Sequence, residues 1–411
     1  MSNLIFITKD VLRNDYLKVY NHNSYFNTPN ISKLASVGTV FKRFYSSAPT
    51  TNLAVISMFT GKPIYKHGIK SIKNIVDYNF DQTLFSYLEN NGVKTFTLWS
   101  KEFEKLTKGN TNVFHENTEV HYSPNYGVEI APQKFAFSER NNKDNLSKNN
   151  LLEYFFEYIK NIEKNGSSPW FLWCHCPHVI PPGKSYGSDI DYFDEFVGRI
   201  MENINTQIII SADHGHQNCE KGRIAYGYDV YEPSIHIPLI TPNYFNAPTI
   251  DFPVDQSQLF NIISKQQLEK KDFIYSDTRF YKQNDRKLSI IRNNHKYIFN
   301  KSDASEELYD LIFDKNENVN LLIDNYPDLE RGVSYPLNEV YFYPYWQEAE
   351  KNYYLLKSEK ERIWRAGNIF DSIIEKFKTI RRNLKKKGLS WLISKKRKTT
   401  KLKGRWNSKA R

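Results

Sequence analysis

The sequence predicts an α/β fold: a mostly parallel central sheet flanked by helices, with a small antiparallel subdomain toward the C-terminus. Three patterns predict it. Short apolar runs at 4–7, 170–174 and 206–210 have the length of buried strands, and each leads into residues that can bind a cation or move a proton. Residues 52–59, 81–90 and 149–162 carry helical spacing between those strands, the alternation expected of an α/β domain. After about residue 270 the runs shorten and alternate, at 273–275, 288–292 and 296–299, as in antiparallel strands.

The strand ends matter because α/β sheets place their chemistry at the carboxyl ends of parallel strands. The first run ends at Lys9 and Asp10, the second at His175 and His178, the third at Asp213 and His214. Polar residues 141–149 and the breakers Pro181, Pro182 and Gly183 read as surface loops.

With 411 residues and 40% hydrophobic content, the chain can bury a sizeable core. Three cysteines specify no disulfide framework and fit a reducing compartment. The apolar stretch at 4–7 is too short for a signal peptide and lacks a basic leader. No run approaches the roughly 20 apolar residues of a membrane span. The expectation is a cytoplasmic protein, free or peripheral at a membrane.

The net charge of +11 is unevenly placed. Residues 376–411 hold sixteen Lys and Arg and no acidic side chain, so residues 1–375 carry −5. Apolar residues from Ile363 through Phe370, Phe377 and Leu384 recur at helical spacing. Residues 357–411 therefore read as an amphipathic helix and basic tail. They follow a catalytic region at 1–325, whose small antiparallel subdomain covers about 270–325, and a Tyr- and Pro-rich connecting segment at 326–356. The tail, with Trp391, Leu392 and Ile393 among its lysines, suits an anionic membrane surface. Nucleic acid, bound through phosphates, is the weaker reading. A solvated extension is the plain alternative.

Taken alone, Asp10 is a hard oxygen ligand or a turn cap. Thr50 and Thr51 precede a helix whose N-terminal amides favour an anion, or one of them simply caps it. A metal-activated hydroxyl there is a nucleophile. Asp213 with His214 suits a divalent ion. His178, and less so His175, can donate a proton to a leaving oxygen or hold it.

These segments, in this order, resemble the sulfatase-like family of the alkaline phosphatase superfamily over roughly residues 3–325. N-L-I-F-I-T-K-D-V-L-R-N-D-Y-L resembles the family opening N-I-V-L-I-T-I-D-T-L-R-A-D-H-L, and T-P-N-I-S-K-L-A-S-V-G resembles T-P-N-L-D-x-L-A-x-x-G. S-A-D-H-G-H is similar to S-D-H-G-E, V-Y-E-P-S-I-H-I-P-L-I to L-Y-E-x-S-I-R-V-P-L-I, and the segment H-K-Y-I-F-N through E-L-Y-D-L to the family's late K-Y-I and E-L-Y-D-L elements. The resemblance implies an alkaline-phosphatase or sulfatase-like fold and a metal site of Asp10, Thr51, Asp213 and His214. It also implies one divalent ion (Mn, Zn, Mg or Ca), with room for a second.

The nucleophile segment departs from the sulfatase pattern C-x-P-S-R-x-x-x-L-T-G. Aligned on Thr60 and Gly61, the first position is Thr51, and the Cys, Pro, Ser and Arg are absent. Threonine cannot become formylglycine, so the resemblance is to members that work through a phosphothreonine, with Thr50 as the alternative nucleophile. His216 stands where the family has Glu, Tyr226 where it has His, and Lys101 is an off-register match to a family lysine. With His175 these are the expected substrate contacts, and His178 joins Thr51 as catalytic. The implied activity is hydrolysis or group transfer on sulfuric or phosphoric esters, phosphate preferred, on a glycan- or lipid-linked substrate. The rival expectation is a catalytically silent scaffold that binds a polyanion or membrane through its tail.

Overall fold

The computed structural model describes residues 2–67, 69, 80–100, 113–114, 117–123, 148–165, 169–178, 186–278, 286–322, 325–328, 333–336 and 348–364. Lys101, residues 141–147 of the predicted loop at 141–149, Pro181 to Gly183, and residues 365–411 lie outside them, whereas Lys148 and Asn149 already belong to a helix. Among the described residues no helix is long and apolar enough to cross a membrane. The chain divides into compact units at 1–356 and 357–411, and of the second only the helical residues 357–364 are described.

The first unit is built on an eight-stranded sheet. In chain order its strands are β1 (Leu4–Lys9), β2 (Gly38–Phe41), β3 (Lys94–Ser100), β4 (Glu119–Ser123), β5 (Trp170–Cys176), β6 (Gln207–Ala212), β7 (Leu239–Pro242) and β8 (Thr249–Ile250). Their spatial order is β8-β2-β7-β6-β1-β5-β3-β4. β6, β1, β5, β3 and β4 run parallel, while β7 is antiparallel to both its neighbours. The sheet is thus mostly parallel, as the sequence predicts. All six residues of β1 are buried, because a strand with parallel neighbours on both sides and helices over both faces has no wet side. Burying each large apolar side chain of this kind contributes about 1.5–3 kcal/mol.

Helices α1 (Pro29–Val37), α2 (Thr51–Thr60), α3 (Leu84–Asn90), α4 (Lys148–Asn165) and α5 (Tyr186–Asn203) flank the sheet. α2 is apolar almost all round, and every residue except Asn52 is buried. Its Phe59 ring meets Phe85 of α3 and Trp173 of β5 edge-on, each at 4.8 Å between centroids. Gly61, at φ 65°, ends α2 in the left-handed turn that glycine adopts without strain. α3 starts later than the expected residue 81, because Thr83 caps it in a reciprocal box with Ser86.

The expected C-terminal sheet is present with four strands: β9 (Ile274–Asp277), β10 (Lys287–Arg292), β11 (His295–Asn300) and β12 (Glu306–Asp310), all antiparallel. It docks through Ile274, Ile291, Ile298 and Tyr309 on Tyr45, Val230 and Ile235. β9 also bonds to the segment before α2, Asp277 N donating to Ser47 O at 3.0 Å. At the start of the Tyr- and Pro-rich segment, Asn325–Asp328 pairs with Val333–Pro336. Residues 348–356 are helical, and Asn352 contacts both Arg292 and His295 of the small sheet.

Lys296 of β11 is fully buried between two carboxylates, 3.1 Å from Glu232 Oε1 and 2.8 Å from Glu317 Oε1. Lys296→Met leaves Glu317 buried without its cation and Glu232 with His236 alone, and should destabilise the protein by about 3–5 kcal/mol in chemical denaturation. Burial opposes ionisation of Glu232, but Lys296 and His236 outweigh it and hold the carboxyl at about 2, below its ordinary 4.5. A depressed carboxyl favours the folded state above its unfolded pKa, so this contribution is present above pH 4.5 and is lost as pH falls toward 2.

Candidate metal centre and active site

The three central strands β5, β1 and β6 end side by side, and the chain then places its polar groups in a small volume. Asp10 follows β1, its amide donating to Cys176 O at 2.9 Å. Val11 then adopts φ 59°, a strained value for a β-branched residue. That turn aims the Val11 amide at Asp213 Oδ1, 3.1 Å away.

Asp213, the first residue after β6, is fully buried. Its Oδ1 accepts from the amides of Val11 and His214, the latter at 2.7 Å, while its Oδ2 has no hydrogen-bond partner. His214 is also fully buried. Its Nδ1 lies 2.8 Å from Gly215 O, and a carbonyl only accepts, so Nδ1 carries the proton. In the neutral ring the Nε2 lone pair therefore faces Thr51 Oγ1 at 3.3 Å, Asp213 Oδ2 at 3.4 Å and Asp10 Oδ1 at 3.8 Å. Gly215 is required by packing: a Cβ there would stand 2.2 Å from Pro233 O. Tyr226 stacks on the His214 ring, centroids 5.0 Å apart.

His175, on β5, joins the cluster. Asp10, His175 and Asp213 each present a ligand atom within 4.8 Å of the others. His175 Nδ1 meets Thr8 Oγ1 at 2.8 Å, and Thr8 receives the Trp173 indole N–H at 2.9 Å, which fixes the ring. Burial drives the imidazole down to about 4, so it is neutral at neutral pH. Asp10 is pushed upward by burial and by the charge of Asp213.

Two carboxylates and an imidazole lone pair pointed at one another repel unless a cation lies among them. A buried carboxylate oxygen without a donor carries the same demand. The donor set, carboxylate oxygens with imidazole and a hydroxyl, fits a divalent ion. Asp10, Asp213 and His214 with Thr51 would hold it, and His175 is within reach.

The other expected residues lie around this centre. His178, two residues beyond β5, binds Asp189 of α5 through Nδ1 at 2.7 Å. His216 stands edge-on to Tyr16 at 6.1 Å, and burial, reinforced by the charge of Arg13, lowers it to about 3. Thr50 is buried with no hydrogen bond to its Oγ1. Sequence reasoning passed over Thr8, Lys9, Asp189 and Gln256. Gln256 Nε2 donates to Asp213 O at 2.7 Å, steadying that turn from behind. Of these only Lys9, adjacent to Asp10 at a strand end, left a signal in the sequence.

The chain belongs to the sulfatase family, whose model matches residues 2–265, and so to the sulfatase-like part of the alkaline phosphatase superfamily. An arylsulfatase from Clostridium perfringens is 30% identical over 93 residues, 23% of this chain and 19% of that protein, so the match spans about a fifth of that relative's length. The fold is similar to that of the phosphonate monoester hydrolase of Agrobacterium radiobacter, with a TM-score of 0.61 at 15% identity over 78% of this chain and 91% of that one. It is also similar to a 2-O GAG sulfatase, with a TM-score of 0.62 at 13% identity over 90% and 94% of the two chains.

Proposed function

We propose that this protein is a metal-dependent hydrolase of sulfuric or phosphoric esters, phosphate preferred, in which Thr51 is the nucleophile. The observation that carries the reading is the approach of Thr51 Oγ1 to the His214 Nε2 lone pair, at 3.3 Å, beside Asp213 and Asp10. A bound divalent ion would lower the hydroxyl pKa and offset charge on the ester oxygens.

The chain's own groups supply the rest. The first turn of α2 presents amide N–H groups and the positive end of the helix dipole to an anionic ester. Thr51 Oγ1, its hydroxyl proton released to solvent and returned when the oxygen later departs, attacks phosphorus or sulfur, and the bond to the leaving oxygen breaks. Protonated His178 gives its Nε2 proton to that oxygen. Water then attacks the threonine ester, His178 takes its proton, and the Thr51 oxygen departs. An alcohol in place of water turns hydrolysis into transfer.

Structurally similar proteins include phosphonate monoester hydrolases and sulfatases, among them a 2-O GAG sulfatase and a sulfatase of glycosaminoglycan metabolism in Bacteroides thetaiotaomicron, which supports a glycan-linked ester as substrate. The test joins metal analysis of the purified protein with turnover of p-nitrophenyl phosphate, bis-p-nitrophenyl phosphate, p-nitrophenyl phenylphosphonate and p-nitrophenyl sulfate. We expect bound divalent metal and turnover that chelation abolishes, greatest on a phosphorus ester. A metal-free protein inert on all four would leave the scaffold reading in its place.

A further inference from the structure

We infer that Tyr226 is a positioning residue that sets the tilt of the His214 ring toward the cation, and that Asp229 holds it there by closing the loop on which Tyr226 sits. This rests on His214 being a metal ligand, as proposed above, and gives Tyr226 a role other than the substrate contact expected of it.

The hydrogen bond from His214 Nδ1 to Gly215 O, at 2.8 Å, decides which nitrogen faces the cluster but not the tilt of the ring about that bond. Tyr226 supplies the missing restraint. The two rings stack with centroids 5.0 Å apart and planes inclined by 30°. A lone pair swung off its line holds a cation less well, so a group that orients the imidazole contributes to metal affinity from behind the ring. Tyr226 is itself half-buried, so truncating it opens no enclosed cavity.

The loop that carries Tyr226 is closed on both sides. Before it, Ile224–Ala225 pairs with Gln217–Asn218, the strand that leaves the His214 turn, with Gln217 opposite Ala225. After it, Gly227 turns the chain at φ 88°, which glycine alone adopts without strain. Asp229 follows, 2% exposed, with a cation on each carboxylate oxygen. Its Oδ2 lies 3.4 Å from Arg223 Nε, and its Oδ1 meets Lys287 Nζ of β10. The bond to Arg223 joins residues 223 and 229 across the base of the loop, with Tyr226 midway between them. Arg223 is half exposed, so that bond alone contributes little. Lys287 is only 18% exposed, and it ties the same carboxylate to the small antiparallel sheet. One buried carboxylate thus sets where a ring against His214 can sit.

The test is Zn²⁺ affinity, measured by competition with a chelating dye on full-length wild type, Tyr226→Ala, Tyr226→Phe, Asp229→Asn and Tyr226→Ala/Asp229→Asn. Circular dichroism accompanies each protein. Asp213→Asn marks Zn²⁺ bound elsewhere on the chain, and only binding that this variant lacks is counted. Tyr226→Ala should bind about 10- to 100-fold more weakly, the loss typical of a partner that orients a metal-ligating histidine. Tyr226→Phe keeps the ring and should match wild type. Asp229→Asn should lose less than Tyr226→Ala. Because it acts through Tyr226, the double variant should be no weaker than Tyr226→Ala alone. Should Asp229→Asn lose structure, Lys287→Met/Asp229→Asn, which removes the buried cation together with the buried charge, takes its place with the same expectation. Wild-type affinity in Tyr226→Ala, or an equal loss in Tyr226→Phe, would overturn the role of the ring. Losses that multiply in the double variant would overturn that of Asp229. A wild type that binds no more Zn²⁺ than Asp213→Asn would instead remove the metal reading on which both roles stand.

Discussion

Thr51→Ala is expected to lower ester turnover by at least about 10⁴-fold while the folded state and its α2 packing persist, the scale seen when a sole nucleophile is deleted. The argument is local. Thr51 opens α2, and its Oγ1 lies beside His214 Nε2. Removing the hydroxyl deletes the proposed attacking atom but leaves the backbone of a buried helix intact. Thr51→Ser keeps the hydroxyl and should retain most of the activity. Thr50→Ala separates the two threonines, since Thr50 Oγ1 has no hydrogen-bond partner to lose. Turnover in Thr50→Ala should stay near wild type. Mass spectrometry of acid-quenched enzyme should find the phosphoryl or sulfuryl adduct on the peptide that contains Thr51, and an adduct on Thr50 would move the nucleophile by one residue.

Asp213→Asn should remove the metal and the activity together, and yet leave the metal-free protein more heat-stable than metal-free wild type. The opposite signs have one cause. Asp213 Oδ1 is held by the amides of Val11 and His214, so an asparagine oxygen takes that place and its NH₂ replaces Oδ2. That NH₂ then faces the His214 lone pair and Asp10, where it donates hydrogen bonds and fills the position a cation needs. Without metal, burial still raises Asp10, but the added repulsion from Asp213 is relieved. With metal, one of two carboxylates is gone, and affinity should drop by more than about 100-fold, beyond the loss typical of a merely supporting residue. Calorimetric metal titration and melting with and without chelator read both effects. If the variant keeps wild-type metal affinity, Asp213 does not bind the ion.

The parts legible in the sequence are those written in contiguous residues. Runs at 4–7, 170–174 and 206–210 announced β1, β5 and β6, because a strand covered on both faces must be apolar throughout. The polar residues that stop each run, Asp10, His175, Asp213 and His214, are the ones the fold gathers. What stayed hidden depends on distant pairings. Asp189 sits in an ordinary acidic first turn of α5, and only the packing of α5 against β1 gives it Lys9 and His178. Gly215 looks like any turn glycine until the Pro233 carbonyl is seen beside it. His175 was expected at the substrate, and its nearness to Asp10 and Asp213 follows from strand register, Thr8 opposite His175 and Ser211, which composition does not encode.

The place of β1 also bears on how the molecule is made. This strand is fully buried between β5 and β6, and its residues pair with partners 167 and 203 positions later, as Leu4 does with Phe171 and Gln207. During synthesis, Leu4–Lys9 therefore leaves the ribosome as an adhesive apolar segment whose first partner strand, β5, follows only 167 positions later. High contact order of this kind slows folding, because the loop must close before the contacts that reward closure exist. Ion capture by Asp10 and Asp213 would come at the end of that sequence of events, as a signal that the central strands have met.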